Sequence, residues 1–185
     1  MNKFLLLIAL ALIGCSQMKA DFMGNQNNSD ENFVIQQVPN GKSNFWAEGG
    51  EVKITYTSYS ELIDQANREI SNKMLNEKEA AKLTSSIPKG GKIFIHIFRL
   101  TIERASMNSF TFLLKKNGNE ILRYNGKNNI HNVPRAPYQT NSKGNTWSNT
   151  EIIDLDFEFN KQDTIELFVM DNIDQLRDEF TIKHK

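Results

Sequence analysis

The chain has 185 residues, 22 basic and 22 acidic side chains and hence no formal net charge, 39% hydrophobic residues and a single cysteine. Neutrality excludes the strongly basic field on which general nucleic-acid binding depends, and one cysteine excludes an internal disulfide. Twelve phenylalanines and two tryptophans are bulk enough for a sizeable core.

The chain opens Met1-Asn2-Lys3 and then runs from Phe4 to Ile13 without a polar residue before Gly14-Cys15. That run is too short to cross roughly 30 Å of hydrocarbon as a permanent helix. A charged start, an apolar centre and a small-residue exit predict a secretory signal over residues 1–14. Leu12-Ile13-Gly14-Cys15 resembles the bacterial lipobox. The resemblance implies cleavage before Cys15 and acylation of its sulfur, which makes the membrane itself a partner. Each buried acyl methylene then adds roughly 0.8 kcal/mol of membrane affinity. The expected location is the bacterial cell envelope, with Ser16 rather than an acid after the cysteine favouring the outer membrane. Residues 15–32, rich in Asn, Gln, Ser and Asp, bury too little apolar surface to offset their ordering entropy and read as a tether.

Residues 33–185 are expected to form one domain. Its first strand candidate is Glu51 to Thr57, rich in β-branched and aromatic residues after Gly49-Gly50. Ser58 and Glu61 have capping-box spacing, and Leu62, Ile63, Ala66, Ile70 and Met74 recur on one helical face. Asn76 and Glu79 repeat the cap, predicting a second short helix, so that a helical insertion spans about 59–84. Lys92 to Glu103 is apolar on both faces near its start, as in a strand covered on both sides. Phe110 to Lys116 and Glu120 to Tyr124 flank Asn117-Gly118-Asn119, a hairpin signal. Ile153, Leu155, Phe157 and Phe159 alternate with polar residues, and Thr164 to Met170 and Glu179 to Lys183 complete the set. The pattern predicts a mainly β (α+β) fold, an antiparallel β-sandwich with one helical insertion.

Residues 145–159 and 165–182 together resemble the end of a C-two domain, the eight-stranded calcium- and phospholipid-binding sandwich. Asn145, Trp147 and Asn149 approximate that family's Asn-Pro-x-Trp-Asn segment without its proline, and Asp171, Asp174 and Asp178 approximate its acidic loop. The resemblance implies a C-two-like sandwich and makes the three aspartates candidate calcium ligands. Calcium takes six to eight oxygens, usually from more than one loop. The stretch Arg104 to Ser109 offers no carboxylate, so a single acidic loop would hold the ion weakly. The alternative is that the aspartates stabilise a turn.

Between Glu120 and Glu151 no acid occurs, whereas Arg123, Lys127, Arg135 and Lys143 do, with His131 among them. The long segment at roughly 125–149 is expected to be a loop whose basic side chains, with Tyr138 and Trp147, contact an anionic glycan, a lipid headgroup or an envelope protein. A solvated loop balancing an acidic sheet face is the competing reading. No nucleophile elbow, phosphate loop, dinucleotide fingerprint or zinc spacing occurs, and no catalytic residue is nominated. Asp154 and Asp156 share a strand face, which leaves open a small hydrolase using carboxylates. The favoured expectation is a membrane-anchored lipoprotein whose sandwich is a binding module. A purely structural envelope role remains a further alternative.

Overall fold

The computed structural model describes residues 32–38, 50–130, 132–140 and 144–185, with only the backbone considered at 137–140, 144 and 145. Nine strands and two helices account for most of them: β1 Phe33–Val38, β2 Gly50–Thr57, α1 Tyr59–Lys73, α2 Glu77–Ser85, β3 Lys92–Arg99, β4 Phe110–Lys116, β5 Asn119–Asn125, β6 Arg135–Thr140, β7 Gly144–Asp154, β8 Thr164–Asp171 and β9 Leu176–His184. One sheet has the order β1-β9-β8-β4-β5 and the other β2-β3-β7-β6. Every pairing is antiparallel. The expected mainly β sandwich with helices inserted between two strands is therefore the observed architecture.

Period-two patterning explains the layers. In β3, Ile93, Ile95 and Ile97 are completely buried while Phe94, His96 and Phe98 on the other face are half-buried. The inward set meets Phe110, Phe112 and Leu114 of β4, Ile165, Leu167 and Val169 of β8, and Phe180 and Ile182 of β9 in one core. Each such side chain contributes roughly 1.5–3 kcal/mol by leaving water.

Local chemistry sets the connections. Ser58 caps α1 by accepting the Glu61 N–H, and Asn76 and Glu79 form a reciprocal capping box on α2. Asn117 and Gly118 both have positive φ, 51° and 82°, which a two-residue turn between twisted antiparallel strands demands.

Three expectations need correction. The alternating stretch 153–159 is not one strand: β7 lies earlier, at Gly144–Asp154, and its ladder stops because β3 begins only at Lys92. Leu155 still exchanges backbone hydrogen bonds with Gly90 and Gly91. Beyond it Phe157 and Phe159 remain half-buried, so the alternation records packing without pairing. The segment at 125–149 is not a long loop either, since β6 and most of β7 form an antiparallel hairpin within it. The strand predicted over Lys92 to Glu103 ends at Arg99.

Register gives the sandwich two distinct poles. Gly50, Arg99 and Trp147 lie level in one sheet, and Phe110, Asp171, Leu176 and Asn125 lie at the corresponding ends in the other. The connections 100–109, 126–134 and 172–175 therefore share one pole. The helices, the Asn117-Gly118 turn and the start of β1, where Phe33 pairs with His184, lie at the opposite one.

Candidate functional site

The loop pole is organised around a buried ion pair that joins the sheets. Arg99 ends β3 on the same inward parity as Ile93, Ile95 and Ile97, and Asp171 ends β8 on that of Ile165, Leu167 and Val169. The Arg99 Nε donates to Asp171 Oδ2 at 3.2 Å, with the two side chains only 5% and 3% exposed. Its Nη1 donates to the carbonyls of Phe98 and Glu51 at 2.9 and 3.3 Å, and the guanidinium lies over the Phe110 ring. Asp171 Oδ1 accepts the N–H groups of Ile173 and Asp174, shaping the turn into β9. Arg104 then pairs with Asp174 at 3.1 Å.

The segment 126–134 is clamped to the same pole. Asn128 accepts the Met107 N–H through Oδ1 and donates to Ser106 Oγ, while its own N–H donates to Asn108. Gly126 is placed so closely that a Cβ there would strike the Met107 carbonyl, and its N–H donates to the Phe110 carbonyl. Asn132 donates to Glu151 at 2.6 Å, and Tyr124 donates to the other Glu151 oxygen at 3.0 Å. Burial, reinforced by the adjacent Glu151 carboxylate, drives the Tyr124 phenol well above its usual range. The phenol therefore stays protonated and remains a donor. Both oxygens of Glu151 are engaged, so this inward carboxylate ties β5, β7 and the 126–134 segment together.

The residues singled out from the sequence do not converge on one site. Cys15, His131 and Lys143 lie outside the described residues, and of Tyr138 only the place in β6 is described. Arg123 forks onto Glu120 at 2.9 and 2.8 Å. Arg135 is exposed at the start of β6, Lys127 is exposed in the 126–134 segment, and Trp147 is half-buried opposite Arg99. The aspartates are likewise divided: Asp171 takes Arg99, Asp174 takes Arg104, and Asp178 accepts from Gln37. Among the described residues no three His, Cys, Asp or Glu side chains are grouped so as to hold a metal ion. Asp154 pairs with Lys92 at the end of β7, and Asp156 lies beyond that strand.

His96 sits on the outer face of β3 between the Thr55 and Thr150 hydroxyls, at 3.2 and 3.3 Å. Burial, and secondarily the nearby Lys53 ammonium, lowers its pKa, so it is a neutral hydrogen-bonding residue at neutral pH. Arg99, Tyr124, Asn132 and Glu151 were not singled out from the sequence. A signal existed for one of them: Arg99 stands at the inward parity of an otherwise apolar strand face, after Ile93, Ile95 and Ile97. Comparison of the chain with family models, curated proteins and solved structures returns no match.

Proposed function

We propose that the protein is a bacterial lipoprotein, acylated at Cys15 and held to the envelope membrane, whose β-sandwich acts as a binding module. One observation carries the reading: the chain's only cysteine follows an unbroken apolar run and a small residue in the order Leu12-Ile13-Gly14-Cys15. Two features support it. No helix among the described residues is long and apolar enough to cross a membrane. The first strand begins at Phe33, directly after the polar stretch read as tether, and does so at the helical pole.

The anchor would thus join one pole while the clamped loops occupy the other, leaving the loop pole accessible. Its framework is fixed by polar contacts within the chain, as expected of a contact platform. Lys127 and Arg135, both exposed near that pole, are the nominated basic residues best placed to meet an anionic glycan, a lipid headgroup or an envelope protein. Replacing Cys15 by Ser tests the anchor: the variant should lose acyl labelling and move from the detergent-rich to the aqueous phase. Unchanged labelling and partitioning would refute the reading.

A further inference from the structure

The edges of the two sheets are not equivalent. β6 carries Pro137 and a register shift against β7, β5 carries the exposed charges Glu120 and Arg123 and a register shift against β4, and β2 carries Glu51 and Lys53. Proline, charge and irregular pairing are the devices that keep an edge from taking up another strand. β1, Phe33-Val34-Ile35-Gln36-Gln37-Val38, has none of them: no charge, no proline, and six consecutive pairs with β9. The Lys185 N–H donates to the Asn32 carbonyl at 2.9 Å. Phe33 with His184, Ile35 with Ile182 and Gln37 with Phe180 are therefore the pairs without mutual hydrogen bonds. The N–H and C=O groups of Phe33, Ile35 and Gln37 point away from β9, and none has a backbone hydrogen-bond partner among the described residues.

A row of unpaired groups at ladder spacing is complementary to another extended backbone and to little else. Packing says which side chains that backbone should carry. β1 and β2 run side by side at this margin of the sandwich, where the Phe33 ring meets Tyr56 at 4.7 Å. Two residues further from that contact, Ile35 and Ile54 are only partly buried against the core. Residues directly opposite one another in an antiparallel pair share a face, so guest side chains facing Phe33, Ile35 and Gln37 would lie on the core side, over that incompletely covered margin. Apolar residues there would leave water, and uncharged polar ones suit the alternate positions beside Val34, Gln36 and Val38. We propose that the free edge of β1 binds an uncharged, alternately apolar segment of a partner protein, which adds a strand to the five-stranded sheet antiparallel to β1. A second copy's β1 is a poorer guest: the antiparallel register that bonds these three residues to one another sets Gln37, tied to Asp178, against Phe33. The edge runs along the side of the sandwich, so its occupation leaves the loop pole open, and the inference holds with or without an acyl anchor.

The probe is the synthetic peptide acetyl-Thr-Val-Thr-Val-Thr-Val-Thr-amide, titrated into the isotope-labelled full chain in detergent and followed by amide shifts and hydrogen exchange. At millimolar peptide the Ile35 and Gln37 amides should shift and should exchange about tenfold more slowly or better. Methylating the nitrogen of the peptide's central valine removes a donor without touching the protein, and should weaken binding by about tenfold or more. Ile35→Pro removes only an outward N–H, because Ile35 donates nothing to β9, and should abolish binding while circular dichroism keeps its strand signal. A peptide that does not bind at millimolar concentration overturns the proposal, as does binding indifferent to the methylated nitrogen or to Ile35→Pro. Slow exchange of both amides before peptide is added, deepening with chain concentration, would give the edge to a second copy and also overturn it.

Discussion

Replacing Arg99 by Met removes the guanidinium while keeping an unbranched apolar chain over Phe110. Asp171 would be left 3% exposed with no cation, still accepting the Ile173 and Asp174 N–H groups through Oδ1. Breaking a buried pair from one side costs about 3–5 kcal/mol, because the surviving charge is desolvated without compensation. Against a total stability of about 5–15 kcal/mol, that is a large share. Asp171→Asn keeps an oxygen for the turn but strands the guanidinium, and should cost about 3 kcal/mol by the same argument. The double variant strands no charge and should cost only about 1–2 kcal/mol, so the cycle should show a coupling energy above 2 kcal/mol. Urea unfolding of the full chain, followed by far-ultraviolet circular dichroism, measures all four corners. A loss below about 1 kcal/mol for Arg99→Met, or single losses that simply add, would show that the pair does not join the sheets energetically.

Ile153→Ala, at a position 3% exposed in the core, should lower stability by about 2–5 kcal/mol in the same unfolding assay; a near-neutral result would place the wrong face of β7 inward. Asp163 accepts from Asn117, from the Asn160 N–H and from Lys116, and these contacts, in that order, hold its pKa at about 2, below its ordinary 3.8. Because the folded-state value is depressed, its stabilisation is present above pH 4 and is lost as pH falls through 2. The urea midpoint of Asp163→Asn should lie below that of the wild type at neutral pH and converge on it between pH 4 and pH 2, whereas a constant difference would assign the effect to something other than the charge.

Several elements were legible because their determinants are local. The Asn76–Glu79 capping box, the Ser58 cap and the Asn117-Gly118 turn each depend on residues within three positions of one another, and each appears in the structure as read. The strand over 153–159 was misplaced because alternation reports which side chains face the core, not whether the backbone finds a neighbour. Phe157 and Phe159 do pack toward the core, but β3 offers no ladder beyond Lys92. The β6–β7 hairpin was hidden by its polar, glycine- and asparagine-bearing composition, which resembles loop chemistry until a partner strand is present.

The sequence by itself determined a sandwich of antiparallel strands with a capped helical insertion, since side-chain period and turn chemistry are properties of neighbours along the chain. It also placed its sole cysteine behind an unbroken apolar run, a purely linear feature. Which charges meet was decided only by the tertiary structure. Arg99 and Asp171 are 72 positions apart and Tyr124 and Glu151 are 27 apart. Closing the sheets over one another brings each pair within hydrogen-bonding distance, and the same closure gives Asp171, Asp174 and Asp178 each a separate partner within the chain.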